Sequence, residues 1–373
     1  MNSHALAAVL LSAASVTPGV SEPLLTRQDL YISGVDEVNI YRIPTLLVSA
    51  KGTLLAFCEA REGDDGDPTD IVLKRSATHG PADPPRMLNG YPRTFGYGVT
   101  WERMRVVLPG RGDAVMNQTP VVDPATGTIW LCCYEVKGGL SEHLKDVFAG
   151  RVLLTASDDD GLSWREPRDI TPETGRFTPG PGVGIVLKSG RIVIPGYGPG
   201  ARSKVIYSDD HCLTWRAGAP VEGATDESQV VELADGTLML NMRSSRRRGC
   251  RYVALSRDGG ETWASEADAP ALPGPGCQAS IVPYPLPGAA GRLLLFTNPA
   301  SGGRANFTVR ASRDEGKSWP ISRLLDDGPA AYSGLAVLRD GTIGVLYETG
   351  AVHPYEKITF ARFNLEWLLG AGQ

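Results

Sequence analysis

An eight-residue box of the form Ser-x-Asp-x-Gly-x-Ser/Thr-Trp recurs along the chain and constrains its fold more than any other feature. Copies begin at residues 157, 208, 256 and 312, and a degenerate copy begins at Ser76, with its Thr-Trp pair displaced to residues 100 and 101. The intervals of 51, 48 and 56 residues are the size of one four-stranded propeller blade. Asp, Gly and Trp can respectively close a turn, supply positive φ and pack on a sheet. The boxes are therefore predicted to be scaffold, and Cys212, in place of the Gly, must tolerate a side chain there.

A second repeat sets the number of structural units. A glycine followed by a short apolar run occurs six times, beginning at Gly52, Gly127, Gly190, Gly236, Gly291 and Gly341. Each copy follows another apolar run, so each pair predicts a β-hairpin that turns at or just before the glycine. Six hairpins and the repeated boxes predict an all-β chain, a six-bladed β-propeller of four-stranded antiparallel blades over residues 22–373.

Composition agrees with one large β unit. The 373 residues are 42% apolar and 21% charged, and 44 Gly and 28 Pro are scattered among them, which is typical of a globular chain rich in turns. A net charge of −5 without a basic stripe argues against nucleic-acid binding. The six cysteines have neither metal-ligand spacing nor the density of a disulfide scaffold, so we expect reduced core residues.

The first 21 residues stand apart in composition. The run "ALAAVLLSAASV" has the length of a signal-peptide apolar region, but no Lys or Arg precedes it. Residues 1–21 are interpreted as either a signal peptide or an apolar N-terminal extension, and a secreted or periplasmic protein is favoured over a cytoplasmic one. No later run of 18 or more apolar residues occurs, so no transmembrane span is predicted.

Hairpin geometry predicts where the polar residues of different blades meet. The start of the first strand and the end of the second strand lie at the same end of an antiparallel pair. First-strand starts carry Arg42, Asn117, Glu227, Gln278 and Tyr332, whereas second-strand ends carry Arg61, Tyr197, Arg243 and Glu348. Because propeller strands converge on a central channel, these residues are predicted to surround one pocket.

Three arginines suggest the charge of a ligand. Arg42, Arg243 and Arg304 come from three predicted blades, and their mutual repulsion favours a shared anionic guest such as a carboxylate. Glu348 can orient one of them in the empty site. For any one arginine taken alone, an ordinary surface position is the favoured interpretation, and the segment "RSSRRRGCR" at 243–251 contains surface charge of that kind. The matching hairpin positions favour the functional interpretation for Arg42 and Arg243, whereas Arg304 lies farther past its glycine.

Several segments together resemble the exo-α-sialidase (neuraminidase) family. "YRIPTLL", the boxes, "DESQVVEL", "NMRSS", "NPASGGRANF" and "AAYSGL" follow in family order, from about Glu22 to the C-terminus. The resemblance implies a six-bladed propeller in which Arg42, Arg243 and Arg304 bind the carboxylate of sialic acid.

The resemblance also implies the catalytic residues. It makes Tyr332 the nucleophile, Glu227 its proton acceptor and Asp65 the acid/base. A carboxylate on the anomeric carbon of the substrate would repel an attacking Asp or Glu, whereas a neutral phenol avoids that repulsion. The loop "EGDDGDPTD" offers five acids, and family spacing selects Asp65 as the one five residues before "DIVL".

Further contacts are implied around the sugar. The resemblance assigns Arg61 to the O4 side, Met116 and Asn117 to the sugar, Glu142 to a polar contact, and Tyr197 and Gln278 to the pocket walls. Pro199 stands where vertebrate relatives have a second tyrosine, so their N-acetyl and glycerol preferences are not carried over.

The resulting hypothesis is a retaining exo-α-sialidase that releases terminal sialic acid from sialylated glycans, glycoproteins or glycolipids through a tyrosyl-enzyme intermediate. It requires no cofactor or metal, and the five histidines suggest neither a Ser-His triad nor a zinc site. Two alternatives stay open: a trans-sialidase, and a catalytically silent sialoglycan-binding propeller. The combined Arg, Tyr, Glu and Asp set favours an enzyme.

Overall fold

The computed structural model describes residues 22–77, 87–88, 91–92, 98, 100–139, 149–286 and 291–370. The prediction for residues 1–21 lies outside these ranges. The described residues form an all-β fold with two short helices, α1 (Thr171–Thr174) and α2 (Leu365–Leu369). Neither of these helices is long and apolar enough to cross a membrane.

The strands of the N-terminal half include long hairpin strands and several two-residue bridges. Their bounds are β1 (Leu25–Ile32), β2 (Ile40–Val48), β3 (Leu54–Arg61), β4 (Thr69–Ser76), β5 (Met87–Leu88), β6 (Tyr91–Pro92), β7 (Arg105–Leu108), β8 (Ala114–Val122), β9 (Ile129–Val136), β10 (Arg151–Ser157), β11 (Arg168–Asp169), β12 (Thr178–Pro179), β13 (Ile185–Val186), β14 (Ile192–Gly198), β15 (Arg202–Ser208) and β16 (Arg216–Ala217).

The strands of the C-terminal half are longer and more regular. Their bounds are β17 (Thr225–Glu232), β18 (Leu238–Ser244), β19 (Cys250–Ser256), β20 (Ala264–Pro273), β21 (Ser280–Pro285), β22 (Arg292–Pro299), β23 (Ala305–Ser312), β24 (Ile321–Val337), β25 (Ile343–Thr349) and β26 (Lys357–Phe363).

Sequential antiparallel pairing joins these strands into sheets of eight, seven, five and four strands, and β5 and β6 form a two-stranded sheet. β17 to β20 form a separate four-stranded sheet, and β8 to β11 pair in the same order. The long β24 pairs with β23 through its first half and with β25 through its second half, so it joins the strands before and after it into one seven-stranded sheet. β1, from the start of the described chain, pairs with β26 near its end. The first and last strands of the described residues are thereby tied into one sheet.

The six predicted hairpins are confirmed. The paired strands are β2 with β3, β8 with β9, β13 with β14, β17 with β18, β21 with β22, and β24 with β25. The six repeat glycines all have positive φ, between 75° and 92°. A side chain at these positions would be strained, which explains why the repeat begins with glycine.

The boxes close the turns after the third strand of a sheet. In the box that begins at Ser256, the Gly260 amide donates to Ser256 Oγ at 2.9 Å, and the Thr262 amide donates to Asp258 Oδ1 at 3.0 Å. Ser256 lies opposite Leu238, the first residue of β18, whereas Arg243 lies near the end of β18. The box turns and the predicted site residues therefore occupy opposite ends of the strands.

Two irregular boxes keep this geometry. Cys212 adopts a positive φ of 65° and its amide donates to Ser208 Oγ at 2.9 Å, so the turn accommodates the side chain without changing its bonding. In the degenerate copy, the amide of Gly98 donates to Ser76 Oγ at 3.2 Å. Gly98 thus supplies the box glycine from beyond an insertion that lies mostly outside the described residues.

Apolar clusters fill the spaces between consecutive sheets. One cluster packs Phe57 and Leu73, from β3 and β4, against Leu131, from β9. Another packs Ala56, from β3, against Leu346 and other residues of the last sheet. All six cysteines are buried and free, as predicted. The hydrophobic core is therefore a series of contacts between neighbouring sheets. The predicted site residues lie at one end of the strands.

Candidate active site

Bulges at the starts of the inner strands orient the predicted site residues. The register shifts between Arg42 and Thr45 in β2, Met116 and Thr119 in β8, Thr225 and Ser228 in β17, and Ala330 and Ser333 in β24. These shifts flank or include Arg42, Asn117, Glu227 and Tyr332. A bulge adds a residue to one strand and redirects side chains, so four hairpins use the same device to aim polar groups at one place.

The bulge in β2 forces Ile43 into an unfavourable backbone conformation. Its φ is 58°, a region that a β-branched residue rarely adopts. Its amide donates to Glu348 Oε1 at 2.8 Å, and its carbonyl accepts from the Gln118 side chain. Asn117 has the same left-handed φ, 57°, and its amide donates to Glu59 Oε1 at 2.7 Å. Buried side chains thus satisfy the backbone groups that the bulges release.

The redirected side chains meet in a cavity of about 230 Å³. Ten predicted residues line it: Arg42, Arg61, Asp65, Met116, Asn117, Tyr197, Glu227, Arg243, Arg304 and Tyr332. Ile43, Tyr134 and Thr178 complete the lining. A larger hollow of about 430 Å³ shares Arg61 with this cavity. The convergence of charged groups from several sheets, rather than size, identifies the smaller cavity as the candidate site.

The three arginines are each held by different partners. Arg42 Nε donates to Glu348 Oε1 at 2.7 Å, and the Glu348 side chain is fully buried. Arg304 Nη2 donates to the Gly276 carbonyl at 3.1 Å. Arg243 Nη1 donates to Glu227 Oε2 at 2.8 Å. The predicted contact between Glu348 and an arginine is therefore present, and all three arginines border one cavity.

Tyr332 and Glu227 form the closest pair of potential reactants. The Tyr332 hydroxyl donates to Glu227 Oε1, and Arg243 Nη1 lies 3.0 Å from the same hydroxyl oxygen. Burial, followed by the Glu227 carboxylate, raises the pKa of Tyr332 well above its usual range. The phenol is therefore neutral, with a proton acceptor on its hydrogen and a cation beside its oxygen.

Asp65 projects from the loop between β3 and β4 at the exposed mouth of the cavity. It forms an ion pair with Arg61, and its Oδ1 lies 3.5 Å from Arg42 Nη1. Desolvation by the cavity wall acts against ionisation, but Arg61 and then Arg42 outweigh it and lower the pKa of Asp65. Asp65 is therefore a carboxylate that contacts two arginines.

Glu59 is a site residue that the sequence reasoning missed. Its side chain is fully buried; Oε2 accepts from Arg61 Nε at 2.7 Å, and Oε1 accepts the Asn117 amide described above. Glu59 and Arg61 are two positions apart in β3 and so share one face of the strand. This two-residue spacing could have identified Glu59 from the sequence. An acid that is buried on the same face as a site arginine needs a partner, and that arginine is within reach.

The sugar-side predictions have mixed outcomes. Asn117 Nδ2 lies 3.5 Å from the Tyr197 hydroxyl, so these two side chains are neighbours in the cavity wall. Gln278 is 2% exposed and does not line the cavity. Its Oε1 accepts the Ser333 amide and its Nε2 donates to the Ser333 carbonyl, both at 3.0 Å, so its amide group is used on the strand that carries Tyr332. Glu142 lies outside the described residues.

The arginine-rich segment after Arg243 also requires a correction. Residues 246–248 are exposed, as surface charge would be, but Arg251 is 1% exposed. Its Nε donates to Asn241 Oδ1 at 2.7 Å and its Nη1 donates to the Cys277 carbonyl at 2.6 Å. Arg251 is therefore an internal cation that bonds to neutral oxygens.

Two further residues beside the arginines were not singled out from the sequence. Asp226 lies 3.6 Å from Arg243 Nε, and burial, followed by Glu227, raises the pKa of Asp226 to about 6. Tyr355 lies in the loop between β25 and β26, where its ring covers Arg42 and its hydroxyl bonds to Arg304. Asp226 was overlooked because the hairpin position was assigned to its neighbour Glu227. Tyr355 was overlooked because it lies outside the hairpin positions that were used to predict the site.

Comparisons with known proteins show which family the chain resembles. Residues 52–345 match the family model described as a BNR repeat-like domain. A sialidase of Micromonospora viridifaciens is 36% identical over 96% of this chain, and the chain spans 57% of that protein's length. An exo-alpha-sialidase of Aspergillus fumigatus is 32% identical, with 88% of this chain and 85% of that protein covered. A solved structure of a Hadza microbial sialidase has a TM-score of 0.78 and 31% identity, covering 92% of this chain and 69% of the other.

These matches place the protein in the class of all-β proteins that have a propeller-like fold built from BNR-like repeats. The chain belongs to the sialidase family.

Proposed function

We propose that the protein is a retaining exo-α-sialidase that hydrolyses terminal sialic acid from sialylated glycans, glycoproteins or glycolipids. The observation that carries the proposal is the hydrogen bond from Tyr332 to Glu227 inside a cavity bordered by Arg42, Arg243 and Arg304. A binding protein needs the arginines for an anionic sugar, but it has no need for a buried phenol whose hydrogen points at a carboxylate.

The proposed scaffold is a single six-bladed propeller over residues 22–373. The six confirmed hairpins each supply the first two strands of one blade, and β24 serves two consecutive blades through its two halves. Pairing of β1 with β26 supports closure of the ring by the N-terminal strand of the described chain. Such closure brings first strands from all blades to a common centre and leaves only short, protected sheet edges.

The first chemical step follows from the positions of the charged groups. The three arginines bind the substrate carboxylate, which fixes the anomeric carbon near Tyr332. The Tyr332 oxygen attacks that carbon as Glu227 Oε1 accepts the phenolic proton, and Arg243 stabilises the developing negative charge on the tyrosine oxygen. The bond to the leaving oxygen breaks as Asp65 protonates that oxygen, so charge and protons balance.

The second step reverses these roles. Asp65, now ionised, removes a proton from water, and the water oxygen attacks the anomeric carbon of the tyrosyl-sialoside. The bond to Tyr332 breaks and Glu227 returns the proton to the phenolate. Two inversions at one carbon retain its configuration, so the first free sugar is the α-anomer.

Asp65 must gain a proton before it can act as an acid, although Arg61 and Arg42 favour its ionised form. A bound substrate carboxylate places a second negative charge on the same arginines, beside Asp65. That charge weakens the stabilisation of the Asp65 carboxylate and raises its pKa. We infer that substrate binding itself prepares the acid.

The remaining cavity residues are proposed as contacts for the rest of the sugar. Arg61, held by Glu59, is assigned to the O4 side, and Met116, Asn117 and Tyr197 are assigned to the walls. Gln278 is proposed to support the backbone beside Tyr332 instead of touching the sugar. The role of Glu142 stays a prediction.

Incubation with a fluorogenic α-sialoside tests the proposed function. We expect release of the fluorophore, free sialic acid as the sugar product, and the α-anomer as the first species in time-resolved proton NMR. Transfer to an added galactoside, or release of an anhydro sugar, would instead identify a trans-sialidase. Binding of the sialoside without release would identify a silent glycan-binding protein.

A further inference from the structure

Tyr355 contacts two of the three arginines that border the cavity. Arg42 Cζ lies 3.6 Å from the centroid of the Tyr355 ring, and Arg304 Nη1 hydrogen-bonds to the Tyr355 hydroxyl. Arg42 is in β2 and Arg304 immediately precedes β23, so Tyr355 links side chains from two sheets. Tyr355 itself is not among the residues that line the cavity.

The contact with Arg42 leaves its ligand-binding edge free. Guanidinium ions bind carboxylates through N–H groups that lie in the guanidinium plane, whereas an aromatic ring attracts the cation through its face. Glu348 occupies the Nε position of Arg42, and Tyr355 covers one face. Nη1 points towards the cavity mouth, where it lies 3.5 Å from Asp65. The ring therefore restricts Arg42 without competing with an anion.

The contact with Arg304 restricts a more exposed side chain. Gly276 holds Nη2 through its carbonyl at 3.1 Å, and the Tyr355 hydroxyl oxygen meets Nη1. Arg304 Cζ also lies 5.4 Å from the centroid of the Tyr332 ring. Of the two hydrogen bonds described here, loss of the Tyr355 hydroxyl would leave Arg304 with the one to the Gly276 carbonyl.

The loop that carries Tyr355 is itself held in place. The Glu356 carboxylate accepts the backbone amides of Ala351, Val352 and His353 at 2.9, 2.8 and 2.8 Å. Ser33 Oγ donates to the Tyr355 carbonyl at 2.8 Å. The His353 ring packs edge-on against Tyr355 with centroids 4.5 Å apart. These contacts hold the aromatic ring in position before any ligand arrives.

We propose that Tyr355 is a positioning residue for carboxylate binding, which fixes Arg42 and Arg304 in a mutual arrangement that accepts one planar anion. This inference rests on the proposed function, because it assigns the arginines to the substrate carboxylate. Contacts with Tyr355 would preorganise the two arginines. Long arginine side chains otherwise lose rotamer freedom when the ligand binds, and that loss weakens binding.

Calorimetry with a matched ligand pair tests the inference. The ligands are 2-deoxy-2,3-didehydro-N-acetylneuraminic acid and its analogue with the carboxylate reduced to a hydroxymethyl group. For Tyr355→Leu, which removes ring and hydroxyl, we expect affinity for the acid to fall about 10- to 100-fold, with a change below about 2-fold for the reduced analogue. Tyr355→Phe keeps the ring and should recover part of the loss. Val352→Ala, at an 87% exposed position of the same loop, is the control and should match the wild type.

The outcomes separate this inference from the function on which it rests. If the wild type itself does not prefer the acid to the reduced analogue, the carboxylate role of the arginines is wrong. If the wild type prefers the acid and folded Tyr355→Leu retains that preference in full, Tyr355 has no positioning role. Equal weakening of both ligands also contradicts the inference, because it indicates general damage to the site. Tyr355→Phe provides the same comparison if the leucine variant does not fold.

Discussion

At the scale of single residues, buried carboxylates organise the site before a substrate binds. Glu348 bonds to Arg42 and to the amides of Ile43 and Tyr332, and Glu59 bonds to Arg61 and to the Asn117 amide. Each therefore couples an arginine to a bulged backbone segment. Burial of such charges is costly unless their partners are complete, and the multiple bonds offset that cost.

Asp65 provides a residue-scale prediction because it competes with the substrate carboxylate for the same cations. Asp65→Asn removes the competing charge, so we expect 2-deoxy-2,3-didehydro-N-acetylneuraminic acid to bind about 3- to 10-fold more tightly. Turnover of an unactivated sialoside should fall by about 100-fold or more because the acid is lost. Asp64→Asn, on the same loop, is the control. Unchanged or weaker inhibitor binding by Asp65→Asn would show that no such competition exists.

Asp226 provides a prediction about pH and stability. Its pKa, raised to about 6 by burial and by Glu227, exceeds the usual 3.8. The folded protein therefore binds this proton more tightly than the unfolded chain, and the resulting stability is complete below about pH 4 and is lost as pH rises through about 6. Asp226→Asn should remove this loss, which is of the order of 1–3 kcal/mol.

Urea unfolding of the wild type and Asp226→Asn at several pH values between 4 and 7 measures that difference. Asp327→Asn, at an exposed position, controls for a change of charge alone. If the free energies of unfolding of the wild type and Asp226→Asn change in the same way between pH 4 and 7, the pKa of Asp226 is not raised in the folded protein.

At the scale of elements, the two ends of each sheet have different tasks. The hairpin glycines and the box turns lie at the end opposite Arg243, where serine, aspartate and backbone amides bond to one another. The bulges lie at the other end and aim side chains into the cavity. Scaffold and chemistry are therefore separated by the length of a strand.

The box at Ser256 tests this separation. Asp258→Ala removes the bonds to the amide and hydroxyl of Thr262, so we expect the free energy of unfolding to fall by about 1 kcal/mol or more. Turnover per folded molecule should stay unchanged, because the turn is remote from the cavity. Chemical unfolding and kinetics normalised to folded protein measure both quantities, with Arg257→Ala as the neighbouring control. A large loss of turnover in fully folded Asp258→Ala would contradict a scaffold role.

At the scale of the whole molecule, the sequence predicted repeats better than it predicted contacts between them. The six hairpins could be located because glycine and apolar periodicity are local signals. Glu59 and Tyr355 could not be found in the same way, because their importance depends on partners in other strands and loops. The bulge at Ile43 was also invisible, since nothing local in "YRIPTLL" indicates a left-handed isoleucine. Gln278 followed the hairpin rule and still turned away from the cavity, towards Ser333.

Covalent trapping tests directly whether the Tyr332 oxygen attacks the anomeric carbon of the sugar. A 3-fluorosialosyl fluoride combines a good leaving group at C2 with an electron-withdrawing fluorine at C3. The second step is therefore slowed more than the first, and the wild type should accumulate an adduct visible by intact-protein mass spectrometry. Peptide mapping should place the label on Tyr332, and Tyr332→Phe, which keeps the ring but lacks the attacking oxygen, should remain unlabelled. A label on another residue, or equal labelling of folded Tyr332→Phe, would contradict nucleophilic catalysis by Tyr332.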